Sequence, residues 1–123
     1  MSPIRRTPVP PPANRARGEV GALLDGRPYT LCLTLGALAE LEGAFGVDDL
    51  GALAGRLSKG LSARDVHLIL RAGLRGGGHA VPDDAIEGMR ADGGAAGLAR
   101  LCAQLLAATF AGPAAPSANG PAR

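Results

Sequence analysis

The tetrapeptide Leu24-Asp25-Gly26-Arg27 constrains this chain more than any other segment. An Asp-Gly pair between two runs of alternating apolar residues is the strongest short-range signal for a two-residue hairpin turn of type I′, because both central positions need a positive φ. The flanking runs, GEVGALL and RPYTLCLT, supply the alternation. Centring the turn on Asp25 and Gly26 fixes the register: Leu24 faces Arg27, Ala22 faces Tyr29 and Val20 faces Leu31. Side chains alternate with period two along a strand. Val20, Ala22, Leu24, Tyr29, Leu31 and Leu33 therefore share one face, and Glu19, Gly21, Thr30 and Thr34 the other. A two-stranded hairpin is marginal alone, so the remaining chain must cover that apolar face.

Beyond the hairpin the apolar residues recur with a helical period. Thr34 is placed to cap LGALAELEGAFG, in which Leu38, Leu41 and Phe45 recur at i, i+3 and i+7, and Gly46 is a natural stop. Asp48 or Asp49 starts DLGALAGRLSKG, with Leu50, Leu53, Ala54 and Leu57 on one stripe and Gly60 as terminator. Ser62-Ala-Arg-Asp65 resembles a capping box and opens a third helix with Val66, Ile69, Leu70 and Leu74 inward. Gly76-Gly77-Gly78 stops it. Pro82-Asp83-Asp84 suits the first turn of a short helix carrying Ile86 and Met89. The last helix spans about 95–110, with Leu98, Leu101, Cys102, Leu105 and Leu106 as its stripe. The fold class is α+β: an N-terminal β-hairpin followed by about five short α-helices, helix-rich.

Only one domain fits in 123 residues. Residues 1–17 hold five prolines and four arginines with no usable apolar pattern, which reads as a disordered Pro/Arg-rich tail. Residues 112–123 have the same character, leaving 18–111 as a single α+β domain. Charge divides along the same lines. Between the tails, eight Lys and Arg stand against eleven Asp and Glu, a body of −3 inside a chain of formal charge +2. An acidic body is a poor match for nucleic acid, which needs basic residues clustered on the folded surface. The N-terminus lacks the apolar core of a secretion signal, and no run approaches the ~20 apolar residues of a membrane span. The expectation is a cytoplasmic protein with reduced thiols.

A search for chemistry returns little. His67, His79, Cys32 and Cys102 are the only histidines and cysteines, and no CxxC or HxxxH pair joins them into a zinc pattern. Both cysteines fall in apolar runs that point inward, which removes a Cys–His nucleophile. The Gly76–Gly78 run comes after a helix and lacks the Lys-Ser/Thr of a phosphate loop. The expectation is no enzyme, no metal and no cofactor.

One surface feature remains. On the third helix Arg64, Leu68, Arg71 and Arg75 recur at i, i+4, i+7 and i+11 and share a face, with His67 beside them. This is either a solvated basic face, a partner-binding contact with Leu68 as anchor ringed by Arg, or the reading helix of a helix-turn-helix pair. The acidic body argues against the third.

From Gly18 to Phe110 the chain is similar to a family of small gene transfer agent proteins encoded among phage-like tail genes. The resemblance rests on RGEVGALLDGRPYTLCLTLGALAELEGAFGVDDLGALAGRL, on LSARDVHLILRAGLRGGGHAV and on AGLARLCAQLLAATF. Members are grouped with phage tail assembly chaperones and are sometimes labelled tail tube proteins. The resemblance implies a role in virion morphogenesis, with the tape measure protein or other tail proteins as partners, and brings no catalytic residues. Chaperone, structural tube component and small DNA-binding regulator are the three functions to separate. A homo-oligomer is compatible with each. A tube subunit needs many alternating strands, whereas helical Leu/Ala surfaces suit the shielding of tape measure helices, so the chaperone is favoured.

Overall fold

The computed structural model describes residues 18–110; the two tail assignments, 1–17 and 112–123, lie outside the described residues. Strand β1 (Glu19–Leu24) and strand β2 (Arg27–Cys32) pair antiparallel, with Leu24 opposite Arg27, Ala22 opposite Tyr29 and Val20 opposite Leu31. Asp25 (φ 54°) and Gly26 (φ 75°) are both left-handed, as the type I′ turn demands. Asp25 is also fixed from outside the hairpin. Its backbone N–H donates to the Arg90 carbonyl at 2.8 Å, and its Oδ1 accepts from the Arg90 N–H at 3.0 Å.

Five helices complete the unit: α1 (Leu35–Phe45), α2 (Leu50–Ser58), α3 (Ala63–Gly76), α4 (Asp83–Glu87) and α5 (Gly94–Phe110). The starts of α1, α2 and α3 are set by side-chain caps. Thr34 caps Ala37 N–H, Asp49 caps Ala52 N–H, and Gly46 ends α1 in the left-handed conformation. At α3 the capping box is complete: Ser62 accepts from Asp65 N–H while the Asp65 carboxylate accepts from Ser62 N–H.

Helix α3 is the hub, packing against β2, α1, α4 and α5, while α5 closes over β1. The fully buried side chains are Leu24, Leu31, Leu41, Leu53, Ile69, Leu74, Cys102 and Leu105. The core is thus built mainly from Leu and Ala, with Val20, Ile69, Ile86, Met89 and Cys102, and the three aromatics stay at its margin. Tyr29 is half-buried and meets His79 edge-on, ring centroids 5.0 Å apart. Phe45 lies 5.2 Å under the Arg56 guanidinium.

Three features depart from the sequence-based pattern. Leu50 lies on the apolar stripe of α2 yet is 41% exposed, because the core contacts of that helix begin a turn later at Leu53. Cys32 is half-buried, although the apolar pattern puts both thiols inside: it alternates with the buried Leu31 and Leu33 and so falls on the outer face of the hairpin. The glycine triplet ends α3, but two of its members also make a contact. A Cβ on Gly76 would overlap the Cys32 carbonyl, and one on Gly77 the Thr30 carbonyl. The helix end can press its backbone on β2 only because these side chains are absent.

That contact closes one edge of the sheet. The Thr30 N–H points away from β1 and donates to His79 Nε2 at 3.2 Å. Pro28, two residues back on the same edge, has no N–H to offer. Pro28, the His79 loop and the end of α3 together shut the outer side of β2.

Candidate functional site

The basic face of α3 divides in two. Arg71 projects between helices and forms hydrogen-bonded ion pairs with Asp83 (Nη1–Oδ2 3.2 Å) and Glu40 (Nη2–Oε2 3.5 Å), joining α3 to α4 and to α1. Arg75 reaches the same Glu40 oxygen at 2.9 Å. Their charges are matched within the described unit. Leu68 is half-buried and packs against the core cluster. Arg64, the second residue of α3, is exposed and takes no ion pair among the described residues. The four residues therefore share a helix but not an environment. Glu40 and Asp83 are not visible as partners in the sequence, since they stand 31 and 12 positions from Arg71.

Two grooves flank the start of α3. The first, of about 430 Å³, runs between α2 and the second half of α5, and its walls include Ala54, Leu57, Leu61, Ala103, Leu106 and Phe110. The second, of about 520 Å³, lies between the first half of α3, the α4 segment and the start of α5. Arg64, Val66, His67, Ile86, Met89 and Leu98 are among its walls. Leu61 belongs to both. Several residues of the apolar stripes, Val66, Leu98 and Leu106, are half-buried because they line these grooves rather than the closed core.

The titratable groups near the grooves have clear settings. Burial alone would raise the Asp65 carboxyl, but the Ser62 N–H, the two Arg56 contacts at 3.3 Å and the Ser62 hydroxyl hold it below its ordinary value. Cys102 is enclosed by apolar neighbours, and burial pushes its thiol up to about 12, which leaves it an unreactive neutral group. His67 Nε2 is shut off from solvent without a hydrogen-bond partner among the described residues; Asp83 Oδ1 stands 4.0 Å away, beyond hydrogen-bond reach. Among the described residues no three His, Cys, Asp or Glu side chains converge as a metal-binding group, and no helix is long and apolar enough to cross a membrane.

A family model described as "Phage tail tube protein, GTA-gp10" matches residues 17–112. The chain belongs to this family. The match takes in both strands and all five helices. Membership makes the chain a tail-related protein of the gene transfer agent and phage type. No curated protein and no solved structure matches it.

Proposed function

We propose that this member of the tail family acts as a tail assembly chaperone that binds the tape measure protein while the tail is built. The observation that carries the reading is the balance of the fold: one two-stranded hairpin beside five helices. A tube wall calls for broad sheets that continue around a ring, and a single hairpin with one closed edge is poor material for it. A tape measure chain presents long apolar helices before assembly, and grooves between Leu- and Ala-rich helices suit helix-in-groove capture. The pairing of Arg71 and Arg75 with Glu40 and Asp83 also removes much of the cationic face that a DNA-reading helix would need.

Structural tube component is the second reading, and the description of the family favours it. Mass spectrometry of purified particles separates the two. A chaperone is absent from the finished particle or far below the copy number of the tube subunit. Copy numbers equal to those of a ring-forming subunit would make the chain part of the tube. Co-purification with co-expressed tape measure protein is the positive test.

A further inference from the structure

We propose that residues 79–91 form a strap that opens as a unit while the rest of the fold stays closed, and so uncovers the second groove. This device belongs to the fold and is independent of the choice between chaperone and tube. Little apolar surface anchors the strap. Ile86 and Met89 are its two buried residues, and the others from 79 to 91 are half-buried or exposed. Among the helices and strands, α4 packs chiefly against α3. Open space lies on both sides. The groove of about 520 Å³ has Ile86, Glu87 and Met89 as its strap-side wall. A cleft of about 540 Å³ separates the strap from the hairpin, with Arg27, Tyr29, Val81, Pro82 and Met89 among its walls. A segment with so few buried contacts opens at a lower free energy than the core beside it.

The ends of the strap are free to turn. Gly78 precedes it at φ 91° and Gly94 follows it at φ 64°, and neither has a neighbour within 4 Å of where a Cβ would stand. Backbone rotation at these two joints meets no side chain. Three polar clasps hold the strap shut, each to a different part of the fold. His79 Nε2 accepts from the Thr30 N–H of β2 at 3.2 Å. Asp83, half exposed, meets Arg71 of α3 at 3.2 Å. Arg90 and Asp25 of the hairpin turn exchange two hydrogen bonds, at 2.8 and 3.0 Å. Clasps of this kind are individually weak. Ile86 and Met89 seat between them, so withdrawing the two side chains from the core pulls on all three at once. Met89 walls both the groove and the cleft, and its departure joins them. Val66, Leu70 and Leu98, the apolar walls facing Ile86 and Met89 across the groove, then lose their cover.

Native-state hydrogen exchange on the full chain, followed by NMR at low denaturant, tests the strap. Asp25 and Thr30 on the hairpin, and Ile86, Met89 and Arg90 on the strap, carry amides whose bonds break when it opens. These amides are expected to share one opening free energy and one shallow denaturant dependence, both below those of the Leu31, Ile69 and Leu105 amides. Met89→Ala loosens the strap and is expected to speed every reporter about tenfold or more, Thr30 included, although Thr30 is bonded to His79 and not to Met89. Leu53→Ala weakens the core within α2, away from the strap. It is expected to speed the Leu31, Ile69 and Leu105 amides and to leave the reporters at their parent rates. Reporters that follow the core amides in Leu53→Ala would show that the segment opens only by global unfolding, which overturns the strap. Thr30 holding its parent rate in Met89→Ala while Arg90 accelerates would overturn it as a unit, because the clasps would then release one by one. Unchanged exchange at every reporter in Met89→Ala would also overturn it, since Met89 would not be what keeps the segment closed.

Discussion

Asp65 serves two neighbours with one carboxylate. It completes the capping box of α3 through the Ser62 N–H, and it receives both arms of the Arg56 guanidinium across nine residues of sequence. It is the buried charged residue of the described core, and charge-assisted bonds to such a group are worth about 1.5–3 kcal/mol. Asp65→Ala removes the reciprocal half of the capping box and the ion pair together and is expected to cost about 2–3 kcal/mol, or on the order of 10–20 °C in melting temperature for a domain this small. Asp65→Asn keeps an acceptor for the Ser62 N–H and should cost less. The sign of the acid response is fixed by the direction of the shift. A carboxyl held below its ordinary value stabilises the fold above the unfolded value of about 3.9, and that stability is lost as pH falls through the folded value. Urea titrations at neutral and acidic pH should show a smaller acid loss in Asp65→Asn than in the parent chain. Parallel losses in the two would show that other carboxylates govern acid unfolding. The outer ion pairs are a different matter. Glu40 and Arg75 are partly exposed, and a double-mutant cycle on them should return no more than about 1 kcal/mol.

At the scale of elements, one substitution is expected to act with opposite signs at different glycines. Gly→Ala inside an open helix removes unfolded-state freedom and stabilises by roughly 0.5–1 kcal/mol. Gly43 in α1 and Gly55 in α2 have nothing within 4 Å of a new Cβ, so both substitutions should raise the melting temperature. At Gly76 the same methyl meets the Cys32 carbonyl, a backbone atom that cannot rotate away, and Gly76→Ala should cost about 1–3 kcal/mol as α3 and β2 separate. A neutral or stabilising result at Gly76 would mean that the helix end and the strand do not touch. These glycines also mark how far the sequence can be read. The hairpin register, the Thr34 and Asp49 caps, the capping box and the left-handed Gly46 depend on residues within about four positions, and such local rules are written in the sequence itself. The Gly76–Cys32 contact, the Glu40–Arg71–Asp83 cluster and the groove at Leu61 join segments far apart in the chain. Periodicity shows that Leu106 and Leu98 are apolar and face inward, but it does not say whether the space they face is a filled core or a groove. For the same reason the even spacing of Arg64, Leu68, Arg71 and Arg75 suggests one continuous face. The fold instead places acids opposite the last two arginines and leaves Arg64 beside a groove.

For the molecule as a whole, the closed sheet edge bears directly on the choice between chaperone and tube. A subunit that builds a tube from sheets must offer edges, because continuous rings grow by pairing strand to strand. Here the outer edge of β2 is blocked by Pro28, by the His79 acceptor on the Thr30 N–H, and by the end of α3 against the Thr30 and Cys32 carbonyls. Extension from that side would require α3 to leave the strand, and α3 is the helix on which the rest of the core is packed. The purified chain is therefore expected to stay a small species of fixed size as concentration rises, at low and high salt alike. Light scattering would track this, and negative-stain microscopy would show no tubes. Hollow tubes of constant diameter growing from the pure protein would establish the structural reading despite the blocked edge. A triple variant opens the edge by design: His79→Ala removes the acceptor from Thr30, Pro28→Val restores a donor, and Gly76→Ala parts the end of α3 from the Cys32 carbonyl. If edge closure is what keeps the chain from polymerising, the triple variant should associate through β2 while the parent does not. If both remain small, the closed edge is incidental, and the helix-rich composition alone keeps the chain from forming a wall.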